Sequence, residues 1–393
     1  MTDSVVVAGV GMTAFVKPSV ADNYVQLGSR AIREAIADAG LDYKHIQQAY
    51  AGYVYGDSTS GQAVIYEVGL TGIPIINVNN NCSTGSTALY LARQAILSGE
   101  IDCALVVGFE QMARGALSEH WNDRPGPLQR FLDIANSIQG ESDAPMAIRL
   151  FGGAGQEYKQ RYGCSDETFA AIAVKARRHA KDNERAIFRE PLTIEEVGHA
   201  PHMFGVLTRL QCCPPSCGGA AAVLCSETFA RKHKLNSNIS ILAQAIATDT
   251  DTTFNSGSMM SLVGYDMSRN AATKVYEKAG IGPDDLDVVE LHDCFTANEL
   301  ITYEALMLTP EGTAEQFIAK GDNTYGGQVV TNPSGGLLSK GHPLGATGLA
   351  QCAELVWQLR GAAGTRQVEG ARTALAHNIG LGGACVVTLY QSN

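Results

Sequence analysis

The sequence lacks three patterns that would place the protein in common functional classes. It contains no run of eighteen apolar residues, which excludes a membrane-spanning helix of ordinary length. No lysine or arginine run is longer than two, and 29 basic against 40 acidic residues give a formal net charge of −11, which disfavours binding to nucleic acid or anionic membrane. The ten cysteines include no Cys-x-x-Cys pair, so the usual signature of a zinc ribbon or a thioredoxin-like site is missing.

The composition is that of a globular protein, with 45% hydrophobic and 18% charged residues over 393 positions. The N-terminal residues show no basic stretch followed by a cleavage site, and the last three, Gln391, Ser392 and Asn393, differ from the Ser-Lys-Leu peroxisomal signal. We therefore expect a cytoplasmic protein. In a reducing compartment most of the cysteines are expected to be buried thiols rather than disulfides.

Apolar runs and helical periodicities alternate along the first part of the chain. Short apolar runs predict strands at residues 5–11, 48–55, 73–78 and 103–108. Between them, apolar side chains recur at helical spacing over residues 25–40 and 83–98. Strands that alternate with helices predict an α/β fold with a mainly parallel sheet covered on both faces.

The sequence also repeats itself weakly. Residues 39–46 match residues 279–286 at an offset of 240, and residues 85–89 match residues 345–349 at an offset of 260. Both pairs occur in the same order and in the same structural context. We therefore predict that the fold is duplicated.

A more polar segment separates the two copies. We predict the first part of an N-terminal half at residues 1–112, a loop domain with the return into that half at residues 113–236, and a C-terminal half at residues 237–393. Insertions of this kind commonly carry substrate specificity. A basic stretch in the insertion is interpreted as a solvated helix face, with contact to an acidic substrate tail as the alternative: Lys175, Arg177, Arg178, Lys181 and Arg185.

Two segments at equivalent positions of the halves suggest a nucleophile and a base. Cys82 follows three asparagines and precedes a predicted helix, whose N-terminal dipole would lower the pKa of the thiol. His342 lies in the glycine-rich residues 335–348 at the start of another predicted helix, where the neutral imidazole is favoured. Each precedes the matched glycine of its half by three residues, which favours a shared function over the alternative of a filler cysteine and a structural histidine.

Two further segments carry polar groups suited to catalysis. Residues 288–295 are predicted to end a strand, and period-two alternation would put His292 and Cys294 on one face with Asp293 on the other. A histidine and a thiol on one face could act as a proton donor and a proton shuttle, or they could be two ligands of a zinc ion. The sequence offers no two further ligands at ordinary spacing, so we predict no metal. Residues 377–384 form a glycine-rich turn whose backbone N–H groups could bind an oxyanion.

Two suggestive patterns are rejected. Residues 9–14 imitate the dinucleotide fingerprint Gly-x-Gly-x-x-Ala, but Pro18 interrupts the segment that should form the helix, so we expect no nicotinamide cofactor. A histidine and cysteine cluster matches the spacing of no common zinc module and is interpreted as buried thiols with unrelated histidines: His199, His202, Cys212, Cys213 and Cys217.

Together, four segments resemble the active-site loops of the thiolase superfamily: residues 80–85, 292–295, 341–348 and 378–383. The His-Asp-Cys-Phe form of the second loop is typical of the sterol-carrier-protein-2 type, also called SCP-x thiolase. The likeness extends from about Val6 to Tyr390. It implies a thiolase fold, with duplicated βαβαβαββ halves in a five-layered α/β/α/β/α core and an inserted loop domain, assembled as a homodimer or homotetramer.

The resemblance also implies a reaction. The family cleaves a 3-oxoacyl-CoA with CoA, or runs the reverse Claisen condensation, in fatty-acid or in sterol and branched-chain lipid metabolism. CoA is then a co-substrate, and no permanent cofactor is expected. Cys82 would be the nucleophile, with His342 as its base and Cys294 as the proton donor to the enolate. His292 and His342 would stabilise the enolate oxygen. The backbone N–H groups of Cys82 and Gly380 would hold the oxyanion of the acyl-enzyme steps.

The chain departs from the ordinary family pattern at two positions. Asn378 stands where ordinary thiolases carry the acid/base cysteine, and Cys217 stands where relatives tend to carry an aspartate. Two alternative functions remain, a retro-aldolase of steroid side chains and a non-thiolytic CoA- or lipid-binding protein of the same fold. Cys82 argues against the aldolase. No sterol-carrier segment follows residue 393, so we do not expect lipid transfer by a fused module.

Overall fold

The computed structural model describes residues 4–115, 121 and 123–393. The N-terminal half contains β1 (Val5–Met12), α1 (Tyr24–Ala39), β2 (Gln48–Gly52), α2 (Ser60–Tyr66), β3 (Ile75–Val78), α3 (Thr84–Leu97) and β4 (Cys103–Glu110). An insertion follows with α4 (Gln129–Gln139), α5 (Met146–Tyr162), α6 (Asp166–Ala180), α7 (Ile194–Gly198), β5 (His202–Phe204) and β6 (Leu207–Thr208), before β7 (Gly218–Ser226) and α8 (Glu227–His233) complete the half. The C-terminal half contains β8 (Ile239–Ala247), α9 (Asp251–Asn255), α10 (Met259–Leu262), α11 (Tyr265–Ala279), β9 (Val288–Glu290), α12 (Thr296–Ala305), α13 (Ala314–Ala319), β10 (Val330–Thr331), α14 (Gly336–Ser339), α15 (Thr347–Leu359), β11 (Thr373–Gly380) and β12 (Ala384–Ser392).

The two halves build sheets with the same strand order. The N-terminal sheet runs β3-β2-β4-β7-β1 and the C-terminal sheet runs β10-β9-β11-β12-β8. In each sheet the first three strands are parallel to one another, and the fourth strand is antiparallel to both of its neighbours. The sheets meet at their β1 and β8 edges, where Val6 pairs with Ser240. The shared order confirms the predicted duplication.

Alternating side chains sort into layers on the two faces of each sheet. On β1, Val6 and Ala8 pack outward with α1, whereas Val5 and Val7 pack inward with residues of α3 and α15. The C-terminal sheet repeats the arrangement, because alternate residues of β11 face either the central helices or the outer helices α11 and α12. The layers are therefore helix, sheet, the α3 and α15 pair, sheet, helix, which confirms the five-layered core.

The predicted elements of the first half are present with small shifts at their ends. Two local predictions near the site are wrong. β9 ends at Glu290, so His292 and Cys294 lie in a loop and not on a strand. α15 begins at Thr347, so His342 lies in the loop before it and not in its first turn. The predicted boundaries at residues 112 and 236 stay predictions. Among the described residues, no helix combines the length and apolarity needed to cross a membrane.

The basic stretch of α6 is only partly solvated, which corrects the interpretation as a solvated face. Lys175 is 4% exposed, and its ammonium contacts the carboxylate of Glu299 on α12, which is 0% exposed. The ammonium also donates to Thr331 Oγ1 at 2.5 Å and to Tyr303 Oη at 3.1 Å. Lys175 therefore fastens the insertion to the C-terminal half through a buried ion pair.

We expect Lys175→Met to lower the free energy of unfolding by about 3–5 kcal/mol, because it leaves the Glu299 carboxylate buried and unpaired. Urea titration of purified protein measures this. The double variant Lys175→Met/Glu299→Gln should recover most of the loss, and Arg161→Met, which breaks an exposed pair with Glu311, should cost at most about 1 kcal/mol. A loss below about 1 kcal/mol for Lys175→Met would contradict the anchoring role.

Candidate active site

Cys82 lies in the loop that joins β3 to α3, two residues before the helix begins. Asn81 adopts a left-handed conformation with φ of 50°, which turns the chain sharply before the cysteine. The Asn81 side chain donates to the carbonyl of Leu381 at 3.1 Å and ties this loop to the glycine-rich turn of the C-terminal half. The Cys82 side chain is 7% exposed, so its sulfur faces the interior.

Three of the predicted residues meet in one place. The Sγ of Cys82 and one ring nitrogen each of His292 and His342 all lie within 4.8 Å of one another. The two imidazole rings are 5.0 Å apart and nearly perpendicular at 87°. A thiol and two imidazoles are also a donor set that can hold a transition metal. The predicted absence of a metal stays a prediction.

The hydrogen bonds of His342 give it the form of a base. Its Nδ1 lies 2.7 Å from Thr347 Oγ1, and the Thr347 hydroxyl donates its one proton to the carbonyl of Pro343 at 2.9 Å. Thr347 Oγ1 must therefore accept from Nδ1–H, which leaves the lone pair on Nε2. That Nε2 is buried and has no hydrogen-bond partner among the residues that the structure describes. His342 thus presents an unused acceptor beside the Cys82 thiol.

Burial sets the charge states of this group. It raises the pKa of Cys82 to about 12, with a smaller contribution from the Glu110 carboxylate. It lowers the pKa of His342 to about 3 and the pKa of His292 well below its usual range. The expectation that a helix dipole lowers the pKa of Cys82 is therefore wrong, because loss of hydration outweighs the dipole. At neutral pH the resting pair is a thiol and a neutral imidazole.

Cys294 lies next to this group in the loop between β9 and α12. Its carbonyl accepts the N–H of Cys213 at 2.9 Å. Burial raises the pKa of the Cys294 thiol well above its usual value, and the nearby Cys213 and Cys82 thiols raise it further. A neutral thiol of this kind is a proton donor. The sequence predicts a buried structural thiol at Cys213, and its packing against this loop shows that it lies beside the site.

The backbone donors that face the nucleophile differ in part from the predicted pair. The N–H groups of Cys82 itself and of Leu381 lower the pKa of the Cys82 thiol. Gly380 lies against the same loop, since a Cβ there would come within 2.2 Å of the Asn80 carbonyl and 3.1 Å of the Ser83 nitrogen. The role of the Gly380 N–H stays a prediction, and Leu381 joins it as a second donor of the turn.

The loop that carries Cys294 is held by buried carboxylates that the sequence did not single out. Asp293 accepts the Leu337 N–H at 2.7 Å, which fixes it to the segment before His342. Glu290 pairs with Lys340 at 3.1 Å. Both carboxylates lie within residues 288–295, so the sequence indicates that they are close to the site. It does not indicate which residues they bind. Cys217, at the position of a usual aspartate, is buried and packs in one apolar cluster with Cys82.

Glu110, the last residue of β4, joins the two halves directly under the site. Its Oε2 accepts the N–H of Val54 at 3.0 Å and the N–H of Gly345 at 3.0 Å, and its Oε1 accepts the N–H of Tyr55 at 3.1 Å. Burial raises the pKa of this carboxyl to about 7, although the three N–H donors lower it. No sequence pattern marks Glu110, because it is a lone acid at the end of an apolar run.

Comparison with known proteins agrees with this geometry. The family model described as the thiolase N-terminal domain matches residues 5–200, and the model described as thiolase C-terminal domain-like matches residues 249–390. Sterol carrier protein 2 of Gallus gallus is 55% identical over 99% of this chain and 72% of its own length. Acetyl-CoA acetyltransferase of Methanothermobacter thermautotrophicus is 33% identical over 98% of this chain and 99% of its own.

The solved structures agree on the fold. The Ltp2-ChsH2(DUF35) aldolase superposes with a TM-score of 0.83 at 22% identity, covering 99% of this chain and 98% of that one. The chain belongs to the thiolase family. Within that family its sequence is similar to sterol carrier protein 2, as the His-Asp-Cys-Phe loop indicated.

We expect the stability of the protein to fall as pH rises from about 4.5 to about 7, in part because of Glu110. The pKa of the Glu110 carboxyl is near 4.5 in the unfolded chain and about 7 in the folded protein, so the folded state binds more protons in this window. The free energy of unfolding therefore falls by about 3 kcal/mol as the pH rises across it. Glu110→Gln should flatten the pH dependence of the urea-unfolding free energy by that amount. Glu195→Gln, at an exposed position, controls for the substitution itself. Parallel curves for wild type and Glu110→Gln would contradict this assignment.

Proposed function

We propose that the protein is a thiolase, an acyltransferase that cleaves a 3-oxoacyl-CoA with CoA through an acyl-enzyme on Cys82, or runs the reverse condensation. One observation carries the proposal: the Cys82 thiol, His292 and His342 converge within 4.8 Å, and within the described part of the chain the Nε2 lone pair of His342 has no partner. A buried nucleophile beside an unused base is the arrangement that covalent acyl transfer requires.

The first half-reaction begins from a neutral pair. Nε2 of His342 takes the proton of Cys82 as the thiolate attacks the 3-oxo carbon, so no charged thiolate has to persist in the buried site. The oxyanion of the adduct is held by backbone N–H groups of Cys82 and of the turn that includes Gly380 and Leu381. Collapse breaks the C2–C3 bond and leaves an acyl group on Cys82 and a CoA-thioester enolate.

The enolate is discharged by Cys294. Its thiol donates a proton to C2, and acetyl-CoA, which contains C1 and C2 of the substrate, leaves. The Cys294 thiolate then takes the proton of incoming CoA, whose sulfur attacks the acyl-enzyme. The departing Cys82 sulfur recovers its proton from His342, which returns every group to its starting state. His292 and protonated His342 face the enolate oxygen.

A cavity of about 470 Å³ beside the nucleophile loop favours a lipid-like acyl group. Asn79, Asn80 and Asn81 form one wall, and Leu381 to Ala384 form another. Leu128 and Met146 of the insertion supply apolar side chains on the third side. We propose that the acyl chain of the substrate occupies this cavity, in line with fatty-acid or sterol and branched-chain lipid metabolism.

The proposed function also includes a co-substrate, an oligomeric state and a cellular compartment. CoA is a co-substrate, and no resident cofactor is proposed. Within the described chain, β3 pairs with β2 on one side and its other edge is open, which suits strand pairing with a second copy. We propose a homodimer or homotetramer in the cytoplasm.

We expect the wild-type protein to consume acetoacetyl-CoA and longer 3-oxoacyl-CoA only when CoA is present, followed by loss of the enolate absorbance. Cys82→Ala should abolish turnover and acylation. Cys294→Ala should lower turnover by at least about 100-fold while mass spectrometry still detects acylation of Cys82 by acetyl-CoA, because only the proton donor is lost. Cys103→Ala, a buried thiol of the outer core, is the matched control.

Each failure in this assay points to a different conclusion. Loss of a 3-oxoacyl-CoA without CoA would indicate hydrolysis instead of thiolysis, and cleavage of a 3-hydroxyacyl-CoA without CoA would indicate retro-aldol chemistry. No loss with any of these substrates would indicate a non-thiolytic binding protein. Absence of acylation in Cys294→Ala would refute the separate roles of the two cysteines.

We expect Leu128→Trp to shorten the accepted chain, because Leu128 lies at the cavity wall and a larger ring fills the space. Excluding four methylenes at about 0.8 kcal/mol each would lower kcat/KM for 3-oxodecanoyl-CoA by on the order of 100-fold and leave acetoacetyl-CoA within about threefold. Leu128→Met, of similar volume, is the control. Equal loss for both substrates would contradict the assignment of this cavity to the acyl chain.

A further inference from the structure

Two buried polar side chains, Ser86 and Asn378, lie behind His292 and form with it a hydrogen-bonded chain that connects the two halves. Ser86 on α3 donates through Oγ to Asn378 Oδ1 at 2.9 Å. The other end of that amide, Nδ2, lies 2.9 Å from His292 Nδ1. All three side chains are buried and Asn378 is 0% exposed, so water does not compete for these bonds.

The direction of the amide decides where His292 carries its proton. An amide nitrogen can only donate, so His292 Nδ1 must accept. Burial lowers the pKa of His292 well below its usual range, so the ring is neutral and has one proton. That proton must lie on Nε2. His292 therefore presents a donor, whereas Thr347 makes His342 present an acceptor.

The side chains of Ser86 and Asn378 are closely packed. Gly348 of α15 lies directly against the chain, since a Cβ there would come within 2.1 Å of Ser86 Oγ and 2.8 Å of Asn378 Oδ1. Asn378 is itself held in β11 by its pairing with Val386 on β12. Contacts from α3, α15 and the sheet thus hold Ser86 and Asn378 together, and the Ser86 hydroxyl gives the amide its direction by donating to Oδ1.

We propose that Asn378, oriented by Ser86, is a positioning residue that keeps His292 in the Nε2–H form and so supplies the hydrogen-bond donor for the enolate oxygen. This inference rests on the proposed thiolase function and assigns a role to a side chain that does not touch the substrate. His292 can then donate a hydrogen bond from Nε2 because the Asn378 amide, 2.9 Å behind the ring, donates to Nδ1.

The test replaces the amide by a group that only accepts. In Asn378→Asp the carboxylate draws the proton of neutral His292 to Nδ1 and leaves a lone pair on Nε2. We expect kcat for cleavage to fall by on the order of 100-fold with KM within about twofold, because one oxyanion donor is lost. Acylation of Cys82 by acetyl-CoA should continue, since that step uses the backbone donors.

The protonation of His292 is read directly by ¹⁵N NMR of histidine-labelled protein, with His292→Asn used to assign the signals. Wild type should show a protonated Nε2 and an unprotonated Nδ1. Ser86→Ala frees the amide to rotate and should give a mixture of both forms. Across all variants, kcat should follow the fraction of His292 that carries a proton on Nε2.

Gln244→Glu is the matched control, because it makes the same change at a buried amide that bonds Thr388, away from the site. It should alter neither kcat nor the His292 signals. A wild-type spectrum with the proton on Nδ1 would overturn the proposal, and so would a variant whose kcat and Nε2 protonation diverge. If wild type fails to cleave substrate, the thiolase proposal fails, while the spectra still decide the state of His292.

Discussion

The backbone contact between the start of α3 and the loop before α15 is the constraint on which the active site depends. A Cβ on Gly85 would come within 2.8 Å of the Gly345 carbonyl, and a Cβ on Gly345 would come within 2.5 Å of the Phe109 carbonyl. Only glycine allows the chains to approach this closely. Because these two glycines touch across the pseudo-symmetric core, Cys82 and His342, three residues before them, are brought together. The matched glycines of the weak internal repeat are thus also the residues at which the two halves touch.

Burial then determines the chemistry that this contact permits. In the resting site the Cys82 thiol and both histidines are neutral, and burial raises the pKa of the nearby Asp293 and Glu110. A site of this kind avoids the cost of holding ions away from water. On the groups that react, charge forms only while substrate is present, when backbone N–H groups and the His292 ring can face it. Hydrogen bonds from neutral groups, and not permanently charged side chains, therefore face the reacting atoms.

The sequence predicts much of this arrangement, because the strands, helices and catalytic loops are local patterns. Apolar runs identified β1 to β4, and the repeat placed Cys82 opposite His342. The strand ends before His292 for a physical reason, since the N–H of Leu291 donates to the Asn332 side chain at 2.8 Å and not to a neighbouring strand. Lys175 looked solvated because its partner Glu299 lies 124 residues away. Likewise Ser86 and Asn378 are 292 residues apart, so no local pattern shows that they meet.

Because Cys82 and His342 occupy equivalent positions of the two halves, the site requires halves with different sequences. A two-fold assembly of identical half-chains would set two cysteines or two histidines against each other at this contact. Neither like pair can pass a proton from a nucleophile to a base. The two helices specialise as well, since Thr347 of α15 makes His342 an acceptor and Ser86 of α3 acts on the amide that makes His292 a donor. Joining both halves in one chain lets each copy specialise, which an assembly of identical half-chains cannot do.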